Sequence, residues 1–242
     1  SNGSIKFNLF DPGEIAPAFA ITDAVRDGKV PAGYTWLGYD QGRISAAPLL
    51  GAVPFGMEPW EFTAWWYEGG GRALGEALYR EQGVHPLLCG IIGPETAGWF
   101  RRQVATVEDL KGLKIRFAGL GGKVLGKLGA SVQNIPGGEL YQALSSGALD
   151  GLEWVGPMAD ERAGFQEVAK VYYTAGFHEP GSALAANVNL DVWNDLTPQH
   201  QAILQGASRA VTYYQLSETL ANNGAALARL QQQGVKTLQF SD

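Results

Sequence analysis

Between Thr106 and Trp154 the chain alternates helix-like and strand-like segments through short loops, and this rhythm constrains the fold more than any other feature of the sequence. Thr106-x-x-Asp109 resembles a capping box opening a short helix, which runs into a strand at Leu113–Phe117. A helix at about Lys123–Leu128, a strand at Val132–Ile135, a helix at Glu139–Ser146 and a strand at Leu149–Trp154 follow. Strands separated by helices are joined by crossovers, so the expected sheets are mainly parallel and covered by helices, an α/β fold.

The flanking regions extend the pattern. Ser4–Phe10 alternates apolar and polar residues and stops at Asp11-Pro12-Gly13, which reads as a strand and a turn. A helix from Glu14 to about Arg26, a short strand at Ala32–Leu37 and two helices, Glu58–Glu68 and Arg72–Gln82, come next, the latter pair divided by Gly69-Gly70-Gly71. Val84–Ile92 reads as a buried strand and Asn187–Trp193 as another. Thr197-Pro198 is an N-cap with proline at the first helical position. Helical spacing then continues through Ile203, Leu204, Ala207, Val211, Tyr214, Leu220, Leu227 and Leu230 until Gly234, with Gly224 placed to permit a bend. Such a helix, about 36 residues at ~1.5 Å each, spans about 54 Å, so it is expected to run across two lobes. A last strand is expected at Val235–Phe240.

Composition narrows the function. The 242 residues carry 18 basic and 24 acidic side chains, a net charge of -6, which argues against nucleic acid as a partner. No apolar run approaches the roughly 18 residues of a membrane span. Thirty-three glycines, seven Trp and nine Tyr suit loops and aromatic walls that enclose a small molecule. The single Cys89 excludes an internal disulfide and a cysteine zinc site.

Several enzyme signatures fail. Gly119-Leu120-Gly121-Gly122 lacks the third glycine of a dinucleotide loop, since Val124 stands there, and Gly122-Lys123 has neither the first glycine nor the hydroxyl of a phosphate loop. Ser145 has Ala143 where a nucleophile elbow needs glycine. His85, His178 and His200 form no metal motif and read as structural or surface residues. What remains is a set of charges at strand ends. Arg116 closes the strand Leu113–Phe117 before a glycine loop, and its planar fork suits a carboxylate; the spacing equally fits a solvated arginine with a surface partner. Glu153-Trp154 ends the next strand but one and should lie near Arg116 if the strands are neighbours. Glu95 follows the strand Val84–Ile92 and Glu179 follows the aromatic segment Gly176-Phe177-His178; taken singly, both fit surface positions.

Two segments then carry a family resemblance. Asp109-Leu110-Lys111-Gly112-Leu113-Lys114-Ile115-Arg116 and Gly147-Ala148-Leu149-Asp150-Gly151-Leu152-Glu153-Trp154 resemble the extracytoplasmic solute-binding proteins of tripartite ATP-independent periplasmic (TRAP) transporters, the DctP-type family. Asp23-Ala24-Val25, Gly28-Lys29-Val30 and the long helix agree. Gly98-Trp99-Phe100-Arg101, Glu153-Trp154-Val155-Gly156-Pro157 and Asn189-Leu190-Asp191-x-Trp193-Asn194 are similar to the branch that binds 2-oxo or 2-hydroxy monocarboxylates with a metal ion.

The resemblance implies a two-lobed, Venus-flytrap architecture, with lobe I from residues 1–95 and 184–242 and lobe II from 96–183, the long helix (about 197–233) spanning them. It implies a chain shortened at both ends, since such receptors usually carry further elements, and a periplasmic location. Carried over, the carboxylate-binding arginine falls on Arg116 and the metal ligands on Glu153, Trp154 and Glu179. Glu95 stands where that branch often has glutamine, serving ligand and metal. Tyr34, Trp36 and Phe177 are candidate aromatic walls. Three carboxylates and an anionic ligand facing one guanidinium favour a divalent cation, so Ca²⁺ is expected over Na⁺. The implied partners are a small carboxylate and the membrane permease subunits; the apolar stripe of the long helix fits pairing with a second copy and, equally, its own core. The implied action is binding and lobe closure, not catalysis. A dicarboxylate or sugar acid as ligand, and an enzyme using paired carboxylates, are the alternatives.

Overall fold

Nine strands gather into two sheets in the computed structural model, which describes residues 1–240. They are β1 (Ala32–Trp36), β2 (Val84–Ile92), β3 (Gly98–Phe100), β4 (Lys114–Arg116), β5 (Ser131–Gln133), β6 (Gly151–Leu152), β7 (Val171–Tyr173), β8 (Ser182–Asn189) and β9 (Lys236–Leu238). The chain divides into two compact units. Unit 1 comprises Ser1–Gly51, Trp60–Ile91 and Ala183–Leu216; unit 2 comprises Ala52–Pro59, Ile92–Ser182 and the chain from Ser217.

Unit 1 is built on the sheet β1-β8-β2, with β1 antiparallel to β8 and Thr35 opposite Ala185. Val84–Ile92 is buried almost throughout, as a continuous apolar run requires. Its core joins Val25, Leu37, Trp66, Tyr79, Leu88, Ile91 and Ala185. The helices Pro59–Glu68 and Gly71–Arg80 contribute Trp66 and Tyr79, and Gly70, at φ 91°, makes the left-handed break between them.

Unit 2 holds the six-stranded sheet β5-β4-β6-β3-β7-β9. The parallel expectation holds for β5-β4-β6 and for β7 with β9, but β3 enters antiparallel to both β6 and β7, so the sheet is mixed. Successive β3 side chains serve opposite cores: Trp99 joins Leu140, Leu144, Leu152, Phe165, Tyr172 and Leu230, while Phe100 joins Leu113, Ile115, Phe117, Leu125 and Tyr173.

Other expectations are corrected. Ser4–Phe10 is irregular, with Phe7, Leu9 and Phe10 exposed. The early helix shortens to Ile21–Arg26 behind a 3-10 turn at Ala18–Ala20, because Pro17 lacks the N–H that a longer helix would use. Strand β8 ends at Asn189, whose Oδ1 accepts from Asp191 N (3.0 Å) and Val192 N (3.2 Å) and so caps a helix, Leu190–Asp195, where a strand was expected.

The long helix runs without a break from Pro198 to Gln232, with Thr197 Oγ1 accepting from His200 N at 3.2 Å. Residues up to Leu216 belong to unit 1 and the remainder to unit 2. The expected division kept the whole last segment with the first lobe; from Ser217 the chain groups with unit 2 because Leu227 and Leu230 pack in the core around Trp99 and β9 pairs with β7. No helix among the described residues is long and apolar enough to cross a membrane.

Candidate functional site

Parallel pairing of β4 with β6 sets Arg116 opposite Leu152 and brings Glu153 beside it. Arg116 Nη1 donates to Glu153 Oε1 (2.5 Å) and to the Glu153 carbonyl (3.0 Å), and Nε donates to the Ile135 carbonyl (3.3 Å). Ala118 N donates to the same carboxylate oxygen at 2.7 Å. Both side chains are buried, and the Trp154 ring lies 5.3 Å from the guanidinium carbon, within cation–π range. Gly137 makes room for that ring: a Cβ there would sit 2.2 Å from Trp154 Cη2.

Two further carboxylates arrive from the ends of β2 and β8. Glu95 N donates to the Glu179 carbonyl (3.1 Å), and Thr96 N donates to the Val155 carbonyl (3.4 Å), which draws the Glu95 loop onto the one carrying Glu153 and Trp154. His178 is enclosed by these acids. Its Nε2 lies 3.7 Å from Glu95 Oε2 and 3.9 Å from Glu153 Oε2, and neither ring nitrogen has a hydrogen-bond partner among the described residues. Phe117 meets it edge-on at 4.5 Å. At Gly121 a Cβ would lie 2.6 Å from His178 Cβ, so that close approach requires glycine.

Burial dominates the electrostatics. It pushes the Glu95 carboxyl well up, aided by Glu179 and Glu153, and raises Glu179 to about 7. Burial also raises Glu153, against the opposing pull of Arg116. The same desolvation, with Arg116 nearby, lowers His178 to about 3, so the imidazole is neutral and its contacts with the acids are not ion pairs. Glu95, His178 and Glu179 each offer a ligand atom, all within 4.8 Å of one another. Buried carboxylates that resist ionising, one oxygen of Glu95 lacking a partner and two unpartnered imidazole nitrogens together fit a cation.

Beneath this group, Asp160 accepts from Trp99 Nε1 (2.9 Å), Tyr172 OH (2.9 Å), Val155 N (3.2 Å) and Gly156 N (3.0 Å). Burial raises it to about 6, leaving it ionised at neutral pH. Tyr172 therefore donates its only hydroxyl proton to Asp160, and Thr96 Oγ1, at 2.9 Å, must donate to Tyr172. One buried carboxylate thus ties together the loops bearing Glu95 and Glu153.

Arg116, Glu153, Trp154, Glu95, Glu179 and Phe177 all lie in unit 2, Phe177 meeting His178 at 5.8 Å. Tyr34 and Trp36 belong to unit 1, where Tyr34 OH is 3.5 Å from Gln215 Oε1 and Trp36, 8 % exposed, packs edge-on against Tyr39. His178 and Asp160 escaped the reading of residues. The place of His178 directly before Glu179 was its one signal; Asp160 had none.

A family model for bacterial extracellular solute-binding proteins, family 7, matches residues 1–242. A monocarboxylate 2-oxoacid-binding periplasmic protein from Nostoc sp. is 41 % identical over 241 residues, covering all of this chain, which spans 66 % of that relative's length. A TRAP transporter solute-binding protein from Bordetella bronchiseptica, a mixed-occupancy dimer with copurified calcium and picolinate at one site and an apo site, superposes with a TM-score of 0.97 at 33 % identity, covering 100 % of this chain and 72 % of that one. TRAP periplasmic solute-binding proteins from Colwellia psychrerythraea, with calcium and pyruvate, and from Pseudoalteromonas atlantica, with sodium and pyruvate, each give a TM-score of 0.88 at 40 % identity over 92 % of this chain and 68 % of theirs. With the family model matched along its whole length, the chain belongs to the bacterial extracellular solute-binding proteins of family 7, the DctP family.

Proposed function

We propose that this protein is a periplasmic receptor that binds a small 2-oxo or 2-hydroxy monocarboxylate together with a metal ion and delivers it to the permease of a TRAP-type transporter. The observation that carries this reading is the burial of Glu95, Glu153 and Glu179 around one guanidinium, with every carboxyl pushed upward. Such a group has a deficit of positive charge that a cation relieves.

Arg116, oriented by Glu153 and the Ile135 carbonyl, takes the carboxylate of the acid, and Trp154 walls it. Glu95 and Glu179 hold the cation, with Glu153 and Trp154 completing its surroundings from the neighbouring loop. The cation supplies a positive counter-charge for the carboxylate and 2-oxygen of the acid. Phe177 and Phe117 form an apolar flank. The pyruvate and picolinate held by the similar proteins are both small acids with a polar atom next to the carboxylate, which supports this ligand class.

Ca²⁺ is favoured over Na⁺, because three carboxylates and an anionic ligand leave a larger deficit than one charge offsets. Metal analysis of protein held in a buffer with both ions tests this: retained calcium is expected, and sodium alone overturns the preference. The ligand returns unaltered after long incubation, as a receptor requires. The permease reads the ligand-bound form, which the acid favours only by its differential affinity. A second copy pairs through the long helix, where Val211, Tyr214 and Leu220 are exposed.

A further inference from the structure

We propose that Phe55 determines which acids the receptor accepts, by contacting the ligand's side chain and favouring apolar or aromatic groups beyond C3; this rests on the carboxylate-receptor reading. Gly56 N donates to the Val53 carbonyl at 2.8 Å, closing a turn with Pro54 and Phe55 as its central residues. Proline suits the first central position, and the second, at positive φ, is where glycine belongs. Phe55 occupies it at φ 55°. A bulky side chain in the left-handed region is strained, and such strain persists where function requires it.

Packing does not offset the strain, because Phe55 is 84 % exposed. It is nevertheless held in a defined place: Phe55 N donates to the Phe177 carbonyl at 2.9 Å, and its ring lies 5.6 Å from the Phe177 ring, tilted by 32°. Phe177 stacks at 6.2 Å on Phe117, which follows Arg116 and touches His178. A continuous aromatic row therefore begins at Phe117, which packs on His178 next to the Glu153 that pairs with Arg116, and ends in an exposed ring. Groups extending from an acid anchored at Arg116 would run along that row to Phe55, where contact with an otherwise solvated ring adds affinity that pyruvate, with only a methyl group, cannot gain.

The test is calorimetric titration of the calcium-loaded protein with pyruvate and phenylpyruvate, for the parent, Phe55→Ala and Phe55→Gly. Both substitutions should lower the ratio of the phenylpyruvate to the pyruvate association constant by about tenfold. A ratio within twofold of the parent's overturns the proposal. A parent that binds neither acid overturns the receptor reading instead. Phe55→Gly should leave the melting temperature unchanged or higher, since glycine tolerates the turn; a fall of more than about 4 °C marks Phe55 as a structural residue and overturns the specificity role.

Discussion

Glu179→Gln in the cation-free protein removes one of the coupled buried carboxyls and relieves Glu95, which Glu179 pushes up, in the same direction. Glu179 is raised from 4.5 to about 7 by burial first and by Glu153 second. Between those pH values the folded state holds a proton that the unfolded state has lost, so this group's contribution to stability falls as pH rises. Integrated between pH 5 and pH 8, the loss is about 2–3 kcal/mol. Glutamine keeps the shape and removes the titration. Its stability relative to the parent should therefore improve by about 2–3 kcal/mol over that range. His178 and His85, lowered to about 3 and about 4, change stability in the opposite direction below pH 6.5. Their contributions cancel in the difference between variant and parent. The assay is urea unfolding of chelator-treated protein at pH 5 and pH 8, repeated with calcium. At about a hundred times its dissociation constant calcium should restore about 2.7 kcal/mol to the parent at pH 8, and less to the variant. A difference that stays constant with pH, or changes with the opposite sign, refutes the reasoning.

Arg116→Ala leaves the buried Glu153 carboxylate without its counter-charge and should cost about 3–5 kcal/mol in thermal or chemical unfolding. Arg116→Lys keeps the charge but loses the fork, so titration should show acid binding weakened by about tenfold to a hundredfold. Asp160→Asn places an amide among four donors and should cost about 2–3 kcal/mol, with a changed near-ultraviolet spectrum from Trp99. Gly137→Ala drives a methyl group into the Trp154 ring and should destabilise by about 1–3 kcal/mol while weakening acid binding; unchanged affinity would remove Trp154 from the binding wall.

What could be read in advance follows from the length scale of each signal. Arg116 and Glu153 were legible as candidate neighbours because they close alternate strands of one β-α-β-α-β run, and the parallel pairing of β4 with β6 then sets them side by side. The long helix was legible because thirty-five residues sustain one period. Strand β3 was not, since three residues buried on both faces show no alternation. Asn189 was read as strand interior although its side chain caps the next helix, a competition between local hydrogen bonding and the β ladder that apolar spacing does not reveal. Glu95 and Glu179 read as isolated surface acids from spacing alone. Only long-range pairing brings them together, through the Glu95 N to Glu179 carbonyl bond, so the family resemblance and not the pattern singled them out. His178 and Asp160 owe their positions to packing from several elements at once, and a lone histidine or aspartate carries no such information.

The most direct measurement is calorimetric titration of chelator-treated protein with pyruvate, in the absence and presence of calcium. The expected result is binding that requires the cation and that Arg116→Lys weakens. Equally tight binding without any cation, or no binding of pyruvate or any other 2-oxo acid with calcium or sodium present, would contradict a cation-assisted carboxylate receptor.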